Sequence, residues 1–329
     1  MGRPSNPMIA LAVPHLFRTP SWAVAWLGFL MLVAAVAPVL PLPYPPHTLD
    51  LAHIAQAPLA PGQHWLGTDA QGRDVLSLLV FGTRTAVLLT LPAALLAAVI
   101  GALLGSAAGF WGNRARVDIS YGVVAVGSVW WALRLPTPWL GGLAAALGLA
   151  GIATSGRRRR NVAFRLPLDA LVTGAVTALD TVPRLVLVVA LAAGAGSISP
   201  AGLLVLLTLT SWTTPARLVR AQMLRIRTLP FVEAAQAAGV PAWRVWLKHS
   251  IPHAINPLKT LFPLSLARLL GLESTLSFLG IGLPPEAASW GRLMVSYRQE
   301  PSAWWLFLFP TIMLIITILS LNSLTRPPK

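Results

Sequence analysis

The sequence contains no cysteine and few charged residues of either sign. Only 11% of its 329 residues are Asp, Glu, Lys or Arg, well below the roughly 25% of an average soluble domain. The lack of cysteine excludes a disulfide framework, a thiolate metal site and a cysteine nucleophile. The low charge content argues against a soluble fold, because the helices of soluble proteins carry a charged outer face.

Several catalytic patterns are missing as well. The sequence has no Gly-x4-Gly-Lys-Ser/Thr phosphate loop, no zinc-ligand spacing and no nucleophile elbow. We therefore predict that the chain is not an enzyme and has no catalytic residue, metal site or cofactor of its own. His47, His53 and His64 occur in one polar stretch, and imidazole suits transition metals such as nickel. Their intervals have no ligand spacing, so a metal relay is the less favoured interpretation of these histidines.

What the sequence does have is a series of long apolar runs. It is 55% hydrophobic, and runs of about 18 or more apolar residues, the length of a membrane-spanning helix, recur along it. We predict about eight membrane spans in an all-helical chain: Ala23–Leu40, Thr85–Phe110, Val117–Leu135, Pro138–Thr154, Leu171–Gly194, Ala201–Trp212 (extending to about Arg220), Leu261–Leu283 and Trp304–Leu321.

The basic residues lie between these runs rather than on one soluble module. The net charge of +15 therefore indicates membrane orientation, not nucleic-acid binding. Lysines and arginines are concentrated on one side, which predicts a multi-pass membrane protein with both termini in the cytoplasm. The first run could pass for a signal peptide, but its length favours a retained helix.

Residues 119–168 are predicted to contain a transmembrane hairpin. Its two apolar runs are separated only by Pro-Thr-Pro. Tryptophans at the outer tip match an aromatic belt, and the arginines Arg157–Arg160 would anchor the inner side.

A polar stretch between apolar runs, Phe231–His253, reads FVEAAQAAGVPAWRVWLKHSIPH. Glu233 suits a helix start, Gly239 suits a left-handed helix stop, and Pro241 suits the first turn of a second helix. Trp243 and its neighbours are typical anchors of protein interfaces. On these physical grounds, a docking surface and an amphipathic linker lying on the inner leaflet are equally open.

Three ordered motifs carry a resemblance to a known family. Phe231–His253 resembles the EAA loop of ABC-importer permeases, with Glu233-Ala234-Ala235, Gly239, and His249-Ser-Ile-Pro252 followed by His253 where the family usually has Asn. His64–Arg84 resembles that family's Gly-Thr-Asp-x-x-Gly-Arg-Asp segment. Leu272–Met294 resembles its Glu-x-x-Leu-Ser-Phe-Leu-Gly segment. The chain looks like the second permease subunit of a dipeptide, oligopeptide or nickel-type importer.

The resemblance implies a type I ABC importer transmembrane fold of about six core helices, to which residues 119–168 are an insertion. It divides the chain into an N-terminal segment with the first helix and outer loop, 1–83, and a transmembrane domain, 84–323. The cytoplasmic coupling loop within that domain is 228–257. The residues implied to couple it to an ATPase are Glu233, Ala234, Ala235, Gly239, Trp243, His249 and Pro252.

The implied partners are a second homologous permease, two ATPase subunits that bind ATP and magnesium, an extracytoplasmic solute-binding protein and membrane lipid. The implied location is the bacterial inner membrane. A self-contained secondary transporter or channel remains the alternative. It would need its own intramembrane carboxylates or broken helices for energy coupling, and Asp180 and Glu273 are the clear candidates.

Charged residues within spans are costly in lipid and functional by default. Asp180 and Arg184 stand at i and i+4, which favours a structural pair on one helix. Glu273 lies deep in its span, five residues after Arg268. We predict that Glu273 and Asp180 border the translocation pathway, with a structural role for Glu273 at a helix junction equally open.

Overall fold

The computed structural model describes residues 21–60, 64–118, 163–195, 199–284 and 286–325. Two short strands, β1 (Ala115–Asp118) and β2 (Ala163–Leu166), accompany the helices. In chain order the helices are α1 (Ser21–Val36), α2 (Val75–Trp111), α3 (Leu168–Thr181), α4 (Arg184–Ala195), α5 (Pro200–Ser211), α6 (Thr213–Ile226), α7 (Pro230–Ala237), α8 (Ala242–Arg244), α9 (Ile251–Ala254), α10 (Asn256–Phe278), α11 (Trp290–Ser296) and α12 (Trp305–Ser323).

The fold is mostly helical, as predicted, and one short strand pair accompanies the helices. β1 and β2 form an antiparallel pair in which Ala115 is opposite Leu166 and Asp118 is opposite Ala163. The first two residues of the predicted span Val117–Leu135 belong to β1. The span therefore begins in a strand. The remainder of the predicted hairpin lies outside the described residues.

Three helices in the described ranges are long and apolar enough to cross a membrane: Val75–Trp111, Pro200–Ile226 and Trp305–Ser323. The pair Leu168–Thr181 and Arg184–Gly194 makes a fourth if it is counted as one span. The first apolar helix, Ser21–Val36, has 16 residues. α10 corresponds to the predicted span Leu261–Leu283, and its charged and hydroxyl side chains make it less apolar than the other three.

The predicted span Leu171–Gly194 is broken near its middle. Val182 ends α3 with extended backbone angles, φ −91° and ψ 131°, as the ring of a following proline requires. Arg184 then begins α4, so Asp180 and Arg184 lie on two helices and not on the single helix that was predicted.

One compact unit comprises residues 1–98, 183–212 and 258–329. Its core includes Trp290 and Trp305, which are 2% and 4% exposed. Trp290 Nε1 donates to the carbonyl of Leu79 at 3.2 Å, and Trp305 Nε1 donates to the carbonyl of Thr68 at 3.1 Å. These bonds satisfy indole N–H groups that would be costly to bury unpaired.

A second unit comprises residues 99–182 and 213–257. Here the C-terminal part of α2 packs closely on α6. A Cβ atom on Gly105 would lie 2.2 Å from the carbonyl oxygen of Ala216, and one on Gly109 would lie 2.8 Å from Met223 Cβ. Arg227 Nη1 also donates to the carbonyl of Gly109 at 3.2 Å. Two glycines four residues apart allow this approach, as small residues do at helix contacts in membranes.

Large apolar side chains remain exposed on the membrane-length helices. Leu88 on α2 is 56% exposed, Leu209 on α5 is 56% exposed and Leu319 on α12 is 54% exposed. Hydrocarbon is a favourable solvent for such side chains, and helices satisfy their backbone groups internally as the bilayer requires.

Candidate functional site

The first half of the predicted coupling loop (228–257) is α7. Pro230 occupies the first turn, where its missing N–H costs nothing and its fixed φ suits the helix. Glu233 lies in the first turn, next to the positive end of the helix dipole. Val232 is fully buried, whereas Glu233 and Ala234 are exposed. The helix is thus attached to its unit through one side and presents the acidic motif residue to the surroundings.

Gly239 ends this helix in the predicted left-handed conformation, with φ +79°. Its N–H donates to the carbonyl of Gln236 at 3.0 Å, and the next N–H, of Val240, donates to the carbonyl of Ala235 at 3.1 Å. These two bonds form a Schellman motif, which satisfies carbonyls that a helix end leaves unpaired. Pro241 follows directly before α8, so the chain turns sharply and begins a new helix.

The second half consists of α8, a π-helical turn over Val245–Ser250 and α9. Val245, Ser250 and Ala254 are buried, and Ser250 Oγ donates to the carbonyl of Val245 at 3.2 Å. The π turn was not predicted. Turns of this kind occur often at functional sites.

The predicted coupling residues lie on the exposed surface of this helix pair. Trp243 is 55% exposed, and the guanidinium of Arg244 lies 5.3 Å from its ring centroid. Of the seven, Ala235 is partly buried and the exposed ones are Glu233, Ala234, Gly239, Trp243, His249 and Pro252.

Two aromatic contacts fix the helix pair. The rings of Phe231 and His253, at opposite ends of the motif, are 5.7 Å apart between centroids. Trp246 packs against Trp111, at the end of α2, at 4.9 Å. Residues 228–257 therefore form a helical surface whose two halves are held together by side-chain contacts.

Asp180 lines a cavity of about 460 Å³ within the second unit, between α3 and α6. Its carboxylate lies 3.0 Å from Arg217 Nη1 and accepts a hydrogen bond from Thr213 Oγ1 at 3.0 Å. Arg220, which like Arg217 lines the cavity from α6, makes a bidentate contact with the carboxylate of Asp169. Bidentate pairs of this type fix geometry as well as charge.

Glu273 is 1% exposed, within its own unit. Ser277 Oγ donates to its carboxylate at 2.8 Å and Ser274 Oγ at 3.3 Å, both from α10 itself. Arg268 is exposed, so the predicted alternative of an Arg268 partner is not observed. Gly291 packs closely against the same turn. A Cβ at this position would lie 2.2 Å from the carbonyl oxygen of Ser274. The carboxylate thus sits at a tight helix junction.

Comparison with known proteins identifies the family. Residues 146–326 match the family described as the inner membrane component of binding-protein-dependent transport systems, which is more than half of the chain. The chain belongs to this family. It is a permease subunit of an ABC importer and a multi-pass inner membrane protein, not the ATPase, and it acts with other transporter components.

Individual relatives have similar names. A protein of Brucella suis biovar 1, named provisionally as a peptide permease, is 29% identical over 298 residues, 89% of this chain and 79% of that protein. The dipeptide transport system permease protein DppC of Bacillus subtilis is 26% identical over 305 residues, 90% of this chain and 75% of that protein. A chain of the inward-facing MetNI methionine ABC transporter aligns with a TM-score of 0.49 and 18% identity, covering 74% of this chain and 91% of its own, too low a similarity to carry a structural conclusion.

In this permease the motifs between α1 and α2 form turns, as their residue types predict. Gly67 and Gly72 both have φ +79°. Asp69 accepts hydrogen bonds from the N–H groups of Gln71 and Arg73, each at 2.8 Å. Asp74 accepts from the N–H of Ser77 at 2.8 Å and so caps the start of α2.

Sequence reasoning missed Asp169, Arg217 and Arg220 as charged partners in this permease. Asp169 and its partner Arg220 are 51 positions apart. Asp180 and its partner Arg217 also lie on different helices, and no periodic signal links the members of either pair. The signal that could have found them is the rarity of charge next to apolar runs, since an isolated ionised group there requires a partner.

Proposed function

We propose that this permease forms half of the translocation pathway of an ATP-driven importer for small peptides or a related solute such as a nickel chelate. The observation that carries the proposal is the coupling loop, whose motif residues Glu233, Ala234 and Gly239 are exposed. The buried side chains of Val232, Val245 and Ala254 attach the loop to the second unit. A surface that is attached through buried side chains and exposes a tryptophan stacked with an arginine is suited to receive a rigid protein partner.

The proposed partner at that surface is an ATPase subunit, which binds ATP and magnesium. Two such subunits, a second homologous permease and an extracytoplasmic solute-binding protein complete the proposed importer. In this arrangement residues 1–83 supply the first helix and outer loop, 84–323 the transmembrane domain, and 119–168 an inserted hairpin. The peptide-permease names of the relatives support the substrate class.

Isolation of the tagged permease from its own membranes in mild detergent tests this function. We expect an ATPase to co-purify, and we expect dipeptide uptake into proteoliposomes to stop when ATP is replaced by a non-hydrolysable analogue. Uptake by this chain alone, driven by an ion gradient, would instead establish the secondary-transporter alternative.

The proposed orientation puts the outer loop outside the cell and the coupling loop in the cytoplasm. Because the chain lacks cysteine, a single introduced thiol reports unambiguously on its own position. Ala57 and Ala237 are both exposed. We expect Ala57→Cys to react with a membrane-impermeant maleimide in intact cells and Ala237→Cys to react only after permeabilisation. The reverse pattern would invert the topology.

We propose that Glu273 borders the translocation pathway at the junction where α10 packs against α11. Glu273→Gln keeps an oxygen that can accept from Ser277, so we expect assembly to persist with a change in unfolding free energy of about 1 kcal/mol. The transport rate should change because an ionisable group near the pathway is lost. The measurement compares uptake with the yield of intact complex, using Ser277→Ala as a control that perturbs the hydrogen bond alone. A Glu273→Gln chain that fails to assemble would assign Glu273 a purely structural role.

A further inference from the structure

Three side chains between α1 and α2 bring their ligand atoms together. Asp50, His53 and His64 each offer one such atom, and these atoms lie within 4.8 Å of one another. His53 Nδ1 is 2.8 Å from Asp50 Oδ2, and His64 Nε2 is 3.5 Å from the same oxygen. The chain intervals of three and eleven residues show no ligand spacing, so only the folded loop reveals the cluster.

His64 is held in one orientation from behind. The residue is 2% exposed, its Nδ1 lies 3.0 Å from Asp74 Oδ1, and the ring of Tyr44 lies against it with centroids 4.1 Å apart. The other oxygen of Asp74 accepts from the N–H of Ser77, so this carboxylate is anchored to the start of α2. A carboxylate can only accept, and Nδ1 therefore carries the proton. Histidines that bind metals have this support on the far nitrogen.

The other ring nitrogen of His64, Nε2, faces a group with which it forms no good hydrogen bond. In the neutral tautomer that Asp74 selects, Nε2 of His64 is an acceptor, and it faces the carboxylate oxygen of Asp50. Their 3.5 Å separation is too long for a good N–H···O hydrogen bond. It is close to the edge of a coordination tetrahedron, about 3.3–3.5 Å for metal–ligand bonds of about 2.0–2.1 Å. A cation between His64 Nε2 and Asp50 Oδ2 would be bound by the lone pairs of both atoms, which otherwise repel each other.

The donor set defines the class of cation. Two imidazoles with one carboxylate suit zinc, nickel or copper, whereas magnesium and calcium prefer all-oxygen sites. The side chain of His53 is 44% exposed, so solvent reaches this side of the cluster.

We propose that Asp50, His53 and His64 bind one divalent transition-metal cation of the zinc or nickel class, with Asp74 holding His64 in the ligating tautomer. The cation acts as a clip on a loop with little regular structure. It ties residues 50–53 to His64, and through Asp74 to the first turn of α2. Closing a loop by a metal in this way stabilises the folded state directly.

Metal binding by the full-length chain, purified without a polyhistidine tag and stripped with a chelator, tests the site. The chain is dialysed against zinc or nickel in excess magnesium, and bound metal is measured by mass spectrometry. We expect one zinc or nickel per chain, imidazole ligation in the X-ray absorption spectrum, and slower proteolysis of the outer loop with metal present.

The variants separate the site from general histidine binding. His53→Ala and Asp50→Asn alter partly exposed side chains, and we expect each to weaken zinc affinity at least tenfold. His47→Ala changes an exposed histidine of the same loop that is not in the cluster, and it should bind as the wild type does. The proposal is overturned if the wild type binds no zinc or nickel, or if His53→Ala and Asp50→Asn bind as tightly as His47→Ala.

Discussion

Replacing Gly105 by valine is expected to destabilise the second unit strongly. A Cβ at this position would lie 2.2 Å from the carbonyl oxygen of Ala216 and 2.9 Å from its Cα, whereas favourable carbon contacts need about 3.5–4.0 Å. The obstacle is backbone, which cannot rotate away as a side chain can. α2 and α6 must therefore separate by roughly 1 Å or more.

That separation weakens contacts beyond the glycine itself. Gly109, one turn further along α2, accepts the hydrogen bond from Arg227, and α6 also carries Arg220, which pairs with Asp169. We expect Gly105→Val to cost about 3 kcal/mol, the upper end for overpacking in a core. The measurements are the thermal unfolding midpoint in detergent and the amount of protein in the membrane.

Gly174→Val provides a matched control for Gly105→Val. Gly174 belongs to the same unit and also lies within a helix, but a Cβ there has no atom within 4 Å. We expect the control to unfold at nearly the wild-type temperature. Equal destabilisation by the two substitutions would mean that the close contact of α2 and α6 is not important for stability.

The sequence predicted well those features that depend on neighbouring residues. Apolar runs gave the long helices, and the extension of Ala201–Trp212 towards Arg220 is confirmed by the continuous span Pro200–Ile226. Gly239 was predicted to stop a helix in the left-handed region and does so. The break at Val182 was not predicted, because the apolar run continues across it. The signal was present, since the residue before a proline avoids helical angles.

Features that depend on packing between distant segments were not predictable. Asp180 was assigned to Arg184 by spacing, yet Arg217 is its partner because α3 lies beside α6. The cluster of Asp50, His53 and His64 forms because the loop folds back through turns at Gly67 and Gly72. Periodicity reports which side of a helix is apolar, and it carries no information about which helix packs against that side.

Gly239→Val is expected to detach or uncouple the ATPase while the permease remains folded in the membrane. Gly239 has φ +79°, a conformation that costs a β-branched residue about 1–2 kcal/mol. A Cβ there would meet no atom within 4 Å, so the harm comes from backbone strain and not from a clash. The strain is relieved by opening the Schellman motif, which changes the angle between α7 and α8.

The expected size of the effect follows from that strain. If docking requires the native angle, the cost of about 1–2 kcal/mol appears as a loss of about 5–30-fold in affinity for the ATPase. The measurements are the amount of ATPase that co-purifies with the permease, and the ratio of ATP hydrolysed to solute transported in proteoliposomes. Gly239→Asn should be milder, because asparagine tolerates left-handed angles better than other side chains do.

Gly280 offers a control with the same strain away from the coupling loop. It has φ +75°, and a Cβ added to it would likewise meet no atom within 4 Å. It ends α10 with the same pair of bonds, Gly280 N–H to the carbonyl of Ser277 at 3.1 Å and Ile281 N–H to the carbonyl of Leu276 at 2.9 Å. Gly280→Val should destabilise the chain to a similar degree and still retain its ATPase. If Gly239→Val also retains normal ATPase stoichiometry and full transport, residues 228–257 are a linker on the inner leaflet and the coupling surface must lie elsewhere.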